Sequence, residues 1–194
     1  MKKIKKGFKK KHLLGIFFIA IALFSLIFYL TNMEKETIVV FETNLGNIEI
    51  LLYNDMPITV RNFQSLTEKG IYDNTIFHRV IEEFMIQGGD PTGTGFGDSS
   101  IPRIQDEFVE GRSNIRGTIS MANTGQPNSG SSQFFINLAD NTFLDWNNSS
   151  SPGKHPVFGE VISGMDIVDS IAKVPTNNQD KPLQDVKIIK AFIK

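Results

Sequence analysis

Arg79 stands in a stretch whose other members are mostly apolar or amide-bearing: Phe77-His78-Arg79-Val80-Ile81-Glu82-Glu83-Phe84-Met85-Ile86-Gln87-Gly88-Gly89-Asp90. On a strand, alternate side chains share a face, which puts Phe77 and Arg79 on one side and His78 on the other. Phe84, Met85 and Gln87 then offer an apolar floor with an amide beside it. Farther along, Gln133 and Phe135 are two positions apart and share a face in the same way. The set holds no nucleophile with an adjacent base, so it makes a poor hydrolase. It suits an apolar ring attached to a polar backbone, and proline within a peptide is such a group. Taken alone, Phe84, Met85 and Phe135 read as ordinary strand residues facing a core. Arg79 tips the balance, because arginine is rarely buried without a partner or a task.

Other chemistries find little support. Gly93-Thr94-Gly95-Phe96-Gly97 lacks the spacing of a dinucleotide-binding turn, leads into no helix, and no Gly-Lys-Ser/Thr follows. Zinc-protease and nucleophile-elbow motifs are missing. Cysteine is absent, which excludes disulfides, thiol catalysis and cysteine-based zinc sites. Of the three histidines, His12 belongs to a basic arm, and His78 and His155 alone make a weak metal case. Neither a metal nor a cofactor is expected.

The elements that must position these residues are short. Residues 38–43 and 47–53 are β-branched and alternating, and Asn44-Leu45-Gly46 between them reads as a hairpin turn. Asp55-Met56-Pro57 opens a helix, with Asp55 as its cap and proline in its first turn, and Gly70 closes it. Val60, Phe63, Leu66 and Thr67 form its apolar stripe. Further strands are read at 75–80, 84–87, 118–122, 133–138, 157–162 and 186–193, with a second helix at 165–173. Eight strands with two helices indicate an antiparallel barrel or sandwich, since a parallel sheet needs a helix after nearly every strand. The loops 88–104 and 139–155 are long enough to suggest function.

Charge is divided unevenly. Seven of the 20 basic residues are lysines within residues 1–12, where no acid occurs; the other 13 face 21 acids, a balance of −8. An acidic body argues against nucleic acid as a partner. Residues 13–30 then run uncharged for 18 positions, which nearly spans a hydrocarbon core of roughly 30 Å. The run ends in Phe28, Tyr29 and Leu30 and offers no small–x–small cleavage site, which favours a retained anchor over a cleaved signal and secretion. Lysines on its N-terminal side keep that end in the cytoplasm and put the rest outside. The expected organisation is a basic cytoplasmic arm 1–12, a transmembrane signal-anchor 13–30, a tether 31–37 and one folded domain 38–194.

The Phe77–Asp90 string resembles the cyclophilin family closely. So do Gly117-Thr118-Ile119-Ser120-Met121-Ala122-Asn123, Pro127-Asn128-Ser129-Gly130-Ser131-Ser132-Gln133-Phe134-Phe135-Ile136 and Val157-Phe158-Gly159-Glu160-Val161. The resemblance covers roughly residues 37–194. It implies a closed eight-stranded antiparallel barrel with two helices, here preceded by one N-terminal transmembrane helix, and peptidyl-prolyl cis/trans isomerase activity on proline-containing polypeptides. By resemblance Arg79 is the catalytic residue, and Phe84, Met85, Phe135 and Leu144 hold the proline ring. Gln87 and the backbone of Asn123 grip the peptide, while Ala122, Gln133 and His155 line the groove. Without the family, His155 reads equally well as a solvated loop histidine. Phe143 stands where many members carry Trp, which implies weak binding of cyclosporin-like ligands. Glu82-Glu83 replaces a common Pro-Gly, and residues 145–153 lengthen a groove-side loop. Asn147-Asn148-Ser149-Ser150 in that loop contains two overlapping Asn-x-Ser glycosylation acceptors, at Asn147 and Asn148, which read otherwise as solvated turn residues. A proline-peptide binding module without turnover and a cell-surface adhesion domain are the competing classes; the presence of Arg79 argues against the first.

Overall fold

In the computed structural model, the described residues are Phe24 and 36–194 except 152. The basic arm, the anchor and the tether of the sequence reading therefore lie outside the described residues, apart from Phe24, Glu36 and Thr37. Residues Glu36–Lys194 form one compact unit.

β1 (Thr37–Thr43) and β2 (Gly46–Leu52) form the expected hairpin, with Thr43 paired to Gly46 across a two-residue turn. The turn drives Gly46 to a φ of +137°, and a Cβ there would meet Ile167 at 2.6 Å, so glycine is required. Helix α1 (Pro57–Glu68) follows, with proline in its first turn where no N–H is needed. It ends as read: Gly70 takes a φ of +67°, the Gly70 N–H donates to Thr67 O, and the Ile71 N–H donates to Leu66 O. The cap at the other end is not Asp55. Glu107 accepts the Ile58 and Thr59 N–H groups at 3.0 Å, while Asp55 pairs with Arg112 at 2.8 Å. Asp55 is adjacent in sequence, but its carboxylate is drawn to the guanidinium instead.

The remaining elements are β3 (Thr75–Ile76), β4 (Arg79–Ile81), β5 (Met85–Gly88), β6 (Thr118–Met121), β7 (Phe134–Asn137), a 3₁₀ turn (Thr142–Leu144), β8 (Val157–Ser163), helix α2 (Met165–Ala172) and β9 (Lys187–Ile193). The nine strands make one curled antiparallel sheet in the order β3-β9-β1-β2-β8-β6-β7-β5-β4. This corrects the expected closed barrel of eight strands. The segment read as one strand, 75–80, is two: β3 pairs with β9, and β4 pairs with β5 at the opposite end of the order. Phe77 and His78 join them, so one stretch of chain supplies both ends of the sheet.

The break also corrects the face assignment. Phe77 turns fully into the core, edge-on to Phe134, while Arg79 is half-exposed. Phe41, Phe63, Tyr72, Phe134 and Phe158 fill the centre, with ring centroids 5.0–6.3 Å apart. The apolar stripe of α1 (Val60, Phe63 and Leu66) packs into this cluster. Burial of such rings dominates core energetics.

Candidate functional site

Register decides what the outer side of the sheet displays. Val80, Ile86, Ile136 and Ile119 pair in succession across β4, β5, β7 and β6, and all four belong to the core. Strand side chains alternate, so the neighbouring rung faces away from that core. It reads Arg79, Gln87, Phe135, Ser120. The next rung on the same side carries Ile81, Met85 and Asn137. Arginine, amide, aromatic ring and methionine are thereby gathered on one face from three separate strands.

Met85, Phe135 and Leu144 form a small apolar cluster of their own, flanked by Ile81, Phe84 and Ala122. Leu144 and Phe143 come from the 3₁₀ turn, which a buried polar network holds against the sheet. Asp145 accepts the Asn114 N–H at 2.7 Å and its side-chain amide at 2.8 Å. Asn141 donates to Phe84 O at 2.8 Å and to Asn137 Oδ1 at 2.9 Å. Asn114 Oδ1 accepts from the Ser120 hydroxyl at 2.7 Å. Buried polar groups satisfied this fully fix a unique arrangement. Phe143 stacks on Phe84 with centroids 6.0 Å apart and remains about half exposed.

The polar side is equally connected. Gln87 Nε2 donates to Gln133 Oε1 at 2.9 Å, and Gln133 Nε2 donates to Gly95 O at 3.1 Å. The Asn123 side chain is committed to Gly153 O at 2.7 Å. Gln87, Ala122, Asn123 and Gln133 also border a cleft of about 540 Å³ that extends away from the apolar cluster. Among the described residues, no group of three or more His, Cys, Asp or Glu is placed to hold a metal.

An apolar cup beside a guanidinium and two amides suits an apolar ring attached to a polar backbone. Residues 38–193 match the family described as cyclophilin type peptidyl-prolyl cis-trans isomerase/CLD. The chain is 50% identical over 164 residues to a peptidyl-prolyl cis-trans isomerase of Acinetobacter baylyi, covering 82% of this chain and 86% of that protein. It is 48% identical over 161 residues to peptidyl-prolyl cis-trans isomerase-like 1 of Aspergillus fumigatus, covering 81% and 95% of the two chains. A crystal structure of a Cryptosporidium parvum cyclophilin type peptidyl-prolyl cis-trans isomerase, determined in the presence of the dipeptide Ala-Pro, superposes with a TM-score of 0.73. It is 33% identical and covers 81% of this chain and 98% of its own.

The chain belongs to the cyclophilin family. It is a cyclophilin-type peptidyl-prolyl cis-trans isomerase, and the family acts on proline-containing polypeptides.

His155 of this cyclophilin is no solvated loop residue. Its ring meets Phe135 edge-on at 5.2 Å, and Nδ1–H donates to Met121 O at 3.1 Å. Burial lowers its pKa below the ordinary value, against the opposing pull of the Met121 carbonyl and Asp106. The neutral ring thus leaves Nε2 as an acceptor. Trp146, three residues past Phe143, stacks on Phe108 and does not stand in for an indole at position 143.

The structure therefore brings Phe84, Met85, Ala122, Phe135, Phe143, Leu144 and His155 together around the cup. It places Gln87, Gln133 and Asn123 along the adjoining cleft, with Arg79 opposite Gln87. Two contributors escaped the sequence reading. Asp180 pairs with Arg79 at 3.5 Å from a loop about a hundred residues away, and no local pattern announces it. Ile81 packs on the cup immediately before the turn at 82–84, and its alternation with Arg79 was the available signal.

Proposed function

We propose that this isomerase acts on exported chains as they fold beside a membrane, with Arg79 as its catalytic group and residues 13–30 as a retained anchor. An X–Pro bond resists rotation by about 18–20 kcal/mol and turns over in tens to hundreds of seconds. Reaching milliseconds takes a factor of about ten thousand, roughly 5.5 kcal/mol. No proton transfer or covalent step is needed. As the amide twists, its nitrogen turns pyramidal, and the lone pair that resonance delocalises in either planar state becomes localised on it. A guanidinium donating to that nitrogen favours the twisted state over both. Met85, Phe135 and Leu144, with Phe84 beside them, fix the ring, while Gln87 and the Asn123 backbone hold the flanking chain. The observation that carries this assignment is the rung Arg79–Gln87–Phe135, which sets the cation on the same face as the ring-binding cluster.

The location rests on the lysines of residues 1–12 followed by 18 uncharged residues just before β1. Positive flanks stay cytoplasmic, and each lysine forced through the bilayer costs roughly 2.5–3.5 kcal/mol on insertion scales. The tether 31–37, at about 3.3–3.6 Å per residue, holds the domain within roughly 25 Å of the surface. Membrane fractionation with protease added from outside, and mass spectrometry of the N-terminus, tests this. Full-length chain in the membrane with its domain accessible to protease is the expected result. A mature chain starting after Leu30 makes the protein secreted, and a protected full-length chain puts the domain in the cytoplasm.

A further inference from the structure

The lengthened loop at residues 145–153 is braced from within. It leaves and returns at one point, because the His155 N–H donates to Leu144 O at 3.1 Å. Inside it the Asn148 N–H donates to Asp145 O, the Ser151 N–H to Asn148 O and the Lys154 N–H to Ser151 Oγ, at 3.0–3.1 Å. Trp146 pins the outgoing limb by stacking on Phe108, with ring centroids 5.8 Å apart and planes 19° from parallel. Compact loops closed at the base in this way are frequently functional.

What the loop delivers to the groove is Gly153. Its carbonyl accepts from Asn123 Nδ2 at 2.7 Å, and Asn123 Oδ1 accepts the Gly125 N–H at 2.9 Å, so both ends of the Asn123 amide are engaged. Its α-carbon faces the His155 ring. A Cβ built there would run into His155 Nε2, with His155 Cε1 and Asn123 Oδ1 each at 2.9 Å. The next residue, Lys154, takes a φ of +48°, uncommon for a residue with a Cβ and kept only where the surroundings over-determine it.

We infer that Gly153 is a positioning residue, through which the braced loop fixes the Asn123 amide and the His155 ring and so presets the peptide-binding edge of the groove. The inference rests on the isomerase reading of the site, in which the Asn123 backbone holds the flanking chain and His155 lines the groove. Any residue larger than glycine takes the space beside Nε2 and displaces the His155 ring from Phe135, the Asn123 side chain from its carbonyl, or both. An edge already held in its binding conformation loses little freedom when a peptide seats. None of these contacts involves Arg79, so the effect falls on binding and not on the twisting step.

The test measures kcat and KM separately for a proline peptide with the full chain in detergent, beside thermal unfolding and an imidazole NMR titration. Gly153→Ala is expected to raise KM about tenfold and to leave kcat within about twofold of wild type, the pattern of lost uniform binding. Its thermal midpoint should stay within a few degrees, and the His155 resonance should titrate closer to the ordinary value as the ring leaves its buried seat. Trp146→Ala, which frees the limb from Phe108, is expected to raise KM about threefold, and Trp146→Phe, which keeps the stack, to restore it. An unchanged KM in folded Gly153→Ala overturns the inference, as does a fall in kcat with KM unchanged. Should Gly153→Ala fail to fold, equal KM values for wild type and Trp146→Ala overturn it instead. If wild type turns over no proline peptide, the isomerase reading of the site fails and this inference falls with it.

Discussion

Asp180 holds Arg79 at two levels: its carboxylate lies 3.5 Å from the guanidinium Nε, and its carbonyl accepts the N–H of Val80, the next residue on β4, at 2.8 Å. The ion pair is about half exposed on both sides, so its direct worth is at most about 1 kcal/mol. Asp180→Ala is therefore expected to lower kcat/KM less than fivefold, with the loss shrinking as salt is raised. Steady-state assays at 50 and 500 mM salt check this. A hundredfold loss would mean that Asp180 takes part in the chemistry itself.

Glu107 caps α1 from outside the helix, and Asp55 does not. Removing an N-cap acceptor costs about 0.5–2 kcal/mol, while an exposed ion pair such as Asp55–Arg112 contributes about 0–1 kcal/mol. Thermal unfolding should show Glu107→Ala as more destabilised than Asp55→Ala. The reverse order would restore Asp55 as the cap.

His155 and His78 both have pKa values lowered by burial; at His78, Asp90 pulls the other way, and Lys181 and Arg79 lower it further. With folded values below the unfolded value of about 6.5, the unfolded chain binds more protons between the two, and stability falls as pH drops through that window. Above about pH 7 these two groups contribute no slope. Imidazole NMR resonances titrating below 6.5, and a Tm that declines from pH 7 to pH 5, are the expected results. Titration of His155 at or above 6.5 would contradict the assignment.

Phe143 stacks on Phe84 at the lip of the cup and offers no hydrogen-bond donor. Cyclosporin is expected to bind weakly, and Phe143→Trp to strengthen binding several-fold, as one hydrogen bond of about 0.5–1.5 kcal/mol would. Calorimetric titration of both forms decides this. Equal affinities would show that position 143 does not meet the ligand.

Where local spacing determines geometry, the sequence was readable. The hairpin at Asn44–Leu45, the stop at Gly70 and the alternation of Met85 with Gln87 each depend on neighbours a few residues apart. Phe77-His78 was misread because alternation through residues 75–80 says nothing of a chain that leaves one end of a sheet and joins the other. That break depends on β9 and β5 competing for the same segment. Glu107 and Asp180 were missed for a related reason, since each acts on a partner dozens of residues away. The site residues emerged because the family pattern names them; their common face followed only from register.

The central claim is that Arg79 stabilises the twisted amide, and the most direct test is kcat/KM for a proline peptide with Arg79→Ala beside wild type. Arg79 lies outside the core and half exposed, so the variant is expected to keep its thermal midpoint within a few degrees. Catalytic efficiency should fall at least a hundredfold, about 2.7 kcal/mol of lost transition-state stabilisation. Wild-type efficiency in a well-folded Arg79→Ala enzyme would contradict the account.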